Sequence, residues 1–184
     1  MTFTITDISI INALKRDIVQ QVSFALNKLP MHLSEFIAAK GIVTGGITAS
    51  MLHSSSYNDI DVYLKDPEDI KGFNVMVKSC MDSVMDEQTY GGPVSLPDGK
   101  VITANATTFK NKVQVITMAN VDHRKTFDFI HCMPWLDLKD RKFYISKMQF
   151  DSIKNKQLIT NPNKKGEVMT HRFNKYLSRG WTLK

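Results

Sequence analysis

Two aspartates separated by one residue, Asp59 and Asp61, have the spacing best suited to chemistry in this sequence. Asp59 directly precedes residues 60–64 and Asp61 lies within them, and the β-branched and aromatic side chains of this segment predict a strand. Because strand side chains alternate, both carboxylates would face one site while Ile60 and Val62 face the core. Two such close carboxylates repel each other unless a cation offsets their charge, and hard oxygen ligands favour Mg²⁺ or Mn²⁺. The pair therefore predicts a metal site.

A pair of glycines, Gly45 and Gly46, precedes these aspartates. Glycine lets a backbone approach a ligand closely, and a helix starting at residue 47 would point free N–H groups at the same place. A phosphate fits such a site, and the hydroxyls of Thr48 and Ser50 are candidates to bind it. The alternative is a tight turn before a serine-rich loop.

A third carboxylate, Asp128, lies between two phenylalanines in a predicted strand over residues 126–132. An unpaired charge in such surroundings is costly, so Asp128 needs a partner. If a neighbouring strand places it beside Asp59 and Asp61, three carboxylates could hold two cations for an in-line displacement at phosphorus. The alternative is the end of a strand or an ion pair with His123, Arg124 or Lys125.

This pattern resembles the nucleotidyltransferases of the DNA polymerase β-like superfamily. Their signature is a Gly-Gly or Gly-Ser turn, then an Asp-x-Asp strand, then a third Asp on a later strand. The matching positions here are Gly45-Gly46, Asp59-x-Asp61 and Asp128. The spacing is similar to that of the tRNA nucleotidyltransferase branch, but Ala49-Ser50 stands where that branch has an Arg-Asp pair, which argues against CCA addition.

The resemblance implies an α/β fold with a mixed sheet flanked by helices, as in the polymerase β palm, followed by a short C-terminal helical segment. It implies a Mg²⁺- or Mn²⁺-dependent enzyme that transfers a nucleoside monophosphate from a nucleoside triphosphate such as ATP to an acceptor hydroxyl, releasing pyrophosphate. Asp59, Asp61 and Asp128 would be the catalytic metal ligands, and Gly45 and Gly46 would bind phosphates. The acceptor would be RNA, a small molecule or a protein. The alternatives are an inactive regulator with this fold and a basic nucleic-acid-binding protein.

Basic residues recur on one face of a predicted final helix that ends near Gly180. Arg172, Lys175 and Arg179 are spaced i, i+3 and i+7, with Tyr176 adjacent. These side chains could hold a triphosphate or stack on a base, and the alternative is a solvated basic face. The ending resembles uncharacterised nucleotidyltransferase-like proteins from phages and bacteria.

The remaining elements follow from apolar spacing and turn residues. The sequence predicts helices over residues 8–25 and around 33–37, and a helix from Pro67 whose apolar stripe includes Met81 and Val84. It predicts a loop over residues 90–100, then a hairpin of residues 101–109 and 113–118. Residues 143–158 form an ambiguous element, and residues 161–166 a turn.

The chain has 184 residues, 42% of them hydrophobic, and a net charge of +6. These values predict one domain over residues 1–184, with a core at about 40–135 and a basic helical segment at about 138–184. Cys80 and Cys132 are too few for a disulfide framework and lack zinc-site spacing. With no targeting or membrane-spanning segment in the sequence, we expect a cytoplasmic protein, in the host cytoplasm if phage-encoded, with no membrane partner. The oligomeric state is left open.

Overall fold

The structure, a computed structural model, describes residues 2–79, 94–95, 101–102, 106–118, 127–164, 166, 168 and 170–184. Several sequence predictions fall outside this part of the chain: the continuation of a helix through Met81 and Val84, Cys80, most of the loop over residues 90–100, and His123, Arg124 and Lys125.

The helices of the first half follow the predicted apolar spacing. Helix α1 (Ile5–Leu26) begins with a capping box in which Thr4 and Asp7 bind each other's backbone N–H groups. Helix α2 (Met31–Lys40) ends at Gly41, helix α3 (Ile47–Leu52) follows the glycine pair, and helix α4 (Pro67–Ser79) carries acidic residues in its first turn.

Eight short strands form one sheet within the described residues: β1 (Gly41–Thr44), β2 (Ile60–Leu64), β3 (Val94–Ser95), β4 (Val101–Ile102), β5 (Ala106–Thr108), β6 (Val113–Ile116), β7 (Trp135–Asp137) and β8 (Lys142–Tyr144). Their order is β3-β4-β5-β6-β2-β1-β7-β8. Strands β2 and β6 are parallel and the other neighbours are antiparallel, so the sheet is mixed. The predicted fold class, a mixed sheet flanked by helices, is confirmed. The hairpin is also confirmed, since Thr108 of β5 pairs with Gln114 of β6.

The C-terminal part wraps back onto the sheet. Residues 143–158 form the end of β8, helix α5 (Lys147–Lys154) and strand β9 (Gln157–Leu158). Helix α6 (Thr170–Leu177) is the predicted final helix, and Gly180, at a φ of +78°, turns the chain into strand β10 (Thr182–Leu183), which pairs with β9.

The predicted strand over residues 126–132 is wrong. Phe129 makes one isolated bridge to Thr160, and Ile130–Cys132 is a single 3₁₀ turn. The pairing stops after this bridge because the chain turns at Asn161 on one side and enters the 3₁₀ turn on the other. Asn161 donates through its side chain to the Phe127 carbonyl (2.9 Å) and through its backbone N–H to the Asp128 carbonyl (2.8 Å).

Two apolar clusters hold these layers together. The larger includes Leu14 and Ile18 of α1, Phe73 of α4 and Val62 of β2, between the helices and the sheet. The smaller joins α3 to the C-terminal part, and its buried members are Ala49, Phe129, Ile153, Leu158 and Trp181. This second cluster brings α6 close to the glycine turn. No helix in the described part of the chain is long and apolar enough to cross a bilayer.

Candidate active site

The glycine turn is fixed by hydrogen bonds to the 3₁₀ turn. The hydroxyl of Thr44, at the end of β1, donates to the carbonyls of Cys132 (3.1 Å) and Pro134 (2.9 Å), and the Gly45 N–H donates to the Cys132 carbonyl (3.0 Å). Gly45 has a φ of +89°, and a Cβ there would overlap the Asp61 carboxylate. Only glycine therefore lets this turn lie against Asp61. Gly46 borders open space.

The two aspartates enter the site from β2. Ile60 and Val62 are fully buried, and Asp61 between them is half-buried, which is the predicted alternation. Burial, and then the charge of Asp59, raise the pKa of Asp61 to about 6, while the charge of Lys175 opposes them. Asp59, Asp61 and Lys175 thus share one electrostatic environment, although Lys175 lies more than a hundred residues later in the chain.

One cleft of about 360 Å³ brings together most of the residues that sequence reasoning selected. It is lined by Gly45, Gly46, Ser50, Asp59, Asp61, Arg172, Lys175, Tyr176 and Arg179, among others. Thr48 is buried elsewhere in α3 and does not line the cleft. The cleft therefore brings the carboxylates and the glycine turn together with Arg172, Lys175 and Tyr176 of α6 and with Arg179, which lies just beyond the end of that helix.

The structure does not group Asp128 with the other two aspartates. The buried Asp128 carboxylate is paired with Lys164 and with Arg172, whose Nη1 lies 2.5 Å from Oδ2. In the described ranges, no three His, Cys, Asp or Glu side chains lie close enough together to hold a metal ion. Asp128 therefore forms ion pairs with the later turn and helix, while the partners considered for it in the sequence, His123, Arg124 and Lys125, lie outside the described residues. A role of Asp128 as a metal ligand stays a prediction, and it would require the carboxylate to break its ion pairs with Lys164 and Arg172.

Three residues of the cleft were missed by sequence reasoning: His53, Lys156 and Trp181. The Nε2–H of His53 donates to the Ile153 carbonyl (2.7 Å) and ties the end of α3 to α5. Lys156 and Trp181 lie in short segments after α5 and α6, and no local pattern marks either of them. Only the tertiary structure brings these three together.

Cys132 and Tyr176 form a neutral contact at the base of the cleft. The Cys132 Sγ lies 3.2 Å from the Tyr176 hydroxyl. Burial raises the pKa of the Cys132 thiol to about 11 and raises the pKa of Tyr176 above its ordinary value. Cys132 is therefore a thiol at neutral pH and has little nucleophilic character.

A family model described as Gabija anti-defense 2 family protein matches residues 15–156, more than three quarters of the chain. The chain belongs to this family. Gabija anti-defense 2 is a phage protein family. The matched segment includes the glycine turn and all three aspartates and ends before α6.

No curated protein sequence matches the chain significantly. Two solved structures are similar to it at low identity. The Thermotoga maritima CCA-adding enzyme complexed with tRNA is 12% identical, with a TM-score of 0.47 over 89% of this chain and 42% of that chain. An apo CCA-adding enzyme is 10% identical, with a TM-score of 0.46 over 91% of this chain and 39% of that chain. The chain thus spans about two fifths of the length of these enzymes.

Proposed function

We propose that this protein is a metal-dependent nucleotidyltransferase that moves a nucleoside monophosphate from a nucleoside triphosphate to an acceptor hydroxyl, and that this reaction serves its anti-defense role. One observation carries the proposal. A single cleft holds a glycine turn, two adjacent carboxylates and a basic helix face, which are the parts that phosphoryl-group chemistry needs.

Asp59 and Asp61 suit a divalent metal. Their mutual repulsion and the burial of Asp61 disfavour two negative charges, and a cation between them would relieve both effects. Two protein carboxylates are enough, because Mg²⁺ usually completes its shell with water and substrate phosphates. When bound, Mg²⁺ or Mn²⁺ would neutralise charge on the phosphates during transfer.

The other residues of the cleft bind and orient the triphosphate. The open side of Gly46 lets phosphate oxygens approach the backbone, and Ser50 lies beside it. Arg172, Lys175 and Arg179 supply positive charge in the same cleft, where it would hold the β- and γ-phosphates.

The bond changes follow from this placement. The acceptor oxygen forms a bond to the α-phosphorus while the bond from that phosphorus to the α,β-bridging oxygen breaks, and pyrophosphate leaves with the electron pair. The hydroxyl proton passes to solvent water as the new bond forms. Asp61, with a pKa of about 6 before metal binds, is largely ionised at neutral pH and is available as a metal ligand. The proposal assigns Asp128 to holding Arg172 in the wall of the cleft.

The test is transfer of label from α-labelled ATP, GTP, CTP and UTP, with Mg²⁺ or Mn²⁺, into bulk RNA, cell extract and the protein itself. We expect label with the wild-type protein and none with Asp59→Asn. The matched control is Asp17→Asn, an exposed aspartate of α1, which should transfer normally. Equal labelling by Asp59→Asn and wild type would contradict the proposal.

A nucleotide-binding protein without turnover is the second candidate. The ion pairs of Asp128 favour it, because they occupy the carboxylate that the resemblance makes a third ligand. In that case ATP would bind with an affinity sensitive to Arg179→Gln, and no label would be transferred to any acceptor.

A further inference from the structure

A second cavity, of about 310 Å³, lies directly beside the cleft. The two share a wall that contains Arg172, Lys175 and Tyr176 of α6. Asp128, Phe129 and His171 line only the second cavity. Both spaces are as large as typical small-molecule sites, which start at about 300 Å³. Five of the eight residues that line the second cavity also line the cleft, so two ligands would lie side by side along α6.

The walls of the second cavity combine positive charge with aromatic rings. Arg172 and Lys175 supply cations, and the exposed His171 lies next to them in the first turn of α6. The partly exposed rings of Phe127 and Tyr176 also line this cavity, whereas Phe129 is only 1% exposed. The carboxylate of Asp128 is already paired with two cations, so it adds little net negative charge. Cations together with aromatic rings favour an anionic ligand that carries a flat ring.

We infer that the second cavity is the acceptor subsite and that it takes a phosphorylated nucleoside, either a free nucleotide or the end of a nucleic-acid strand. This inference rests on the proposed function and adds the class of acceptor. A nucleotide carries the phosphate, the ring and the ribose hydroxyl that this cavity and this reaction require.

The shared wall is what makes the two sites one reaction centre. A transfer step needs the attacking oxygen about 3–3.5 Å from the phosphorus, and reactants held in contact gain a large rate advantage. An acceptor in the second cavity would lie next to a triphosphate in the cleft, because Arg172 and Lys175 line both spaces. The same two cations would then contact both substrates.

The charge distribution favours an acceptor with several phosphates. Residues 152–184 contain eight Lys and Arg against Glu167 alone, a net charge of +7, so the preceding 151 residues carry a net charge of −1. This basic segment includes α6, which forms the shared wall. Its field would attract a nucleic-acid strand more strongly than a neutral small molecule.

The test uses the full chain with a non-transferable ATP analogue, in which methylene replaces the α,β-bridging oxygen, at saturating concentration with Mg²⁺. Binding of AMP, and separately of a single-stranded RNA dodecamer, is then measured by calorimetry. We expect one equivalent of AMP or of RNA to bind in addition to the analogue. His171→Glu should weaken this second binding about tenfold or more, because it places a negative charge in the cavity. Affinity for the analogue alone should stay unchanged.

The matched control is His32→Glu. His32 is also an exposed histidine at the second position of a helix, α2, and far from both cavities in the chain. It should leave both affinities unchanged. If the dodecamer binds more tightly than AMP and its binding is sensitive to salt, the acceptor is a strand end. If AMP binds and the dodecamer does not, the acceptor is a free nucleotide.

Two results would overturn the inference. One is displacement of AMP and RNA by the ATP analogue, because a single site would then take all three. The other is an unchanged affinity of His171→Glu for AMP and for RNA. Transfer of label to a protein acceptor at the same rate in His171→Glu and wild type would count in the same way. Binding that is sensitive to His171→Glu but gives no transfer with ATP would instead contradict the proposed function while leaving the second ligand site intact.

Discussion

The tightest packing in the cleft is between Gly45 and Asp61, and it gives the first prediction at the scale of single residues. We expect Gly45→Ala to lower the free energy of unfolding by at least about 1–2 kcal/mol, because alanine strains a backbone at positive φ and its Cβ overlaps the Asp61 carboxylate. Label transfer should also be lost as Asp61 is displaced. Urea unfolding and the transfer assay measure the two effects.

Gly46→Ala is the control for this prediction. Gly46 has a φ of −74°, and a Cβ there meets no atom within 4 Å. We expect a cost of less than about 1 kcal/mol, since alanine is only a poorer N-cap than glycine. Equal losses of unfolding free energy in Gly45→Ala and Gly46→Ala would contradict the role assigned to Gly45.

Asp128 gives the second prediction. Its ion pairs indicate that it holds Arg172 in place, whereas the resemblance to nucleotidyltransferases makes it a metal ligand. If Asp128 holds Arg172, Asp128→Asn should destabilise the fold by about 2 kcal/mol, less than a fully buried pair because Arg172 is half-exposed. In a double-mutant cycle with Arg172→Gln, the combined cost should fall short of the sum. Urea unfolding of the four proteins provides the comparison.

Metal affinity separates the two roles of Asp128. We expect Asp128→Asn to leave the Mn²⁺ dissociation constant within about threefold of wild type, while Asp61→Asn weakens it about tenfold or more. Equal losses of Mn²⁺ binding would establish Asp128 as a ligand and its ion pairs as a resting state.

At the scale of elements, the 3₁₀ turn Ile130–Cys132 carries a buried histidine that gives a pH prediction. His131 is fully buried and packs against Phe129, Tyr176 and Trp181, and neither of its ring nitrogens has a hydrogen-bond partner among the residues that the structure describes. Burial lowers the pKa of His131 to about 3. Between pH 6.5 and 3 the unfolded chain therefore binds a proton that the folded chain does not, so this residue reduces stability as the pH falls.

We expect His131→Phe to remove this penalty. Relative to wild type, the variant should gain about 1.4 kcal/mol of stability for each unit of pH decrease within that window. Because the pKa of Asp61 is raised, Asp61 increases the stability of the folded chain as the pH falls through part of the same range. The difference in unfolding free energy between His131→Phe and wild type cancels this contribution and is the quantity to measure. Urea unfolding in EDTA at pH 6.5, 5.5 and 4.5 gives it. A difference independent of pH would mean that His131 is protonated in the folded chain.

The elements also show what sequence can predict. Helices α1 and α4 and strand β2 follow directly from apolar spacing, because each buries one continuous stripe or face. The segment around Phe129 alternates like a strand but pairs through a single bridge within the described residues, because the segment opposite it turns at Asn161. That outcome depends on a residue more than thirty positions away, which no local pattern contains.

The same distinction applies to the cleft. Gly45, Asp59 and Asp61 were identified because their spacing is local, and α6 because its charges recur on one face. His53, Lys156 and Trp181 were not identified, because they meet only when α3, α5 and the C-terminal strand pack together.

At the scale of the whole molecule, the concentration of positive charge in residues 152–184 predicts how binding depends on salt. If Lys156, Arg172, Lys175 and Arg179 contact phosphates of a single strand, log K for RNA should fall with log salt at a slope of about −3. Arg179→Gln should reduce this slope by about 0.7, and fluorescence anisotropy over a KCl series measures both. A slope near zero would exclude the basic segment as a nucleic-acid surface.

The central claim is that the cleft transfers a nucleoside monophosphate, and the fate of the phosphates tests it most directly. Transfer is measured side by side with α-labelled and γ-labelled nucleoside triphosphate, for wild type, Asp61→Asn and Asp17→Asn. We expect α-label in the acceptor, γ-label only in pyrophosphate, and a loss of about a thousandfold or more in Asp61→Asn alone. γ-Label in the acceptor, or equal rates for Asp61→Asn and wild type, would contradict the account.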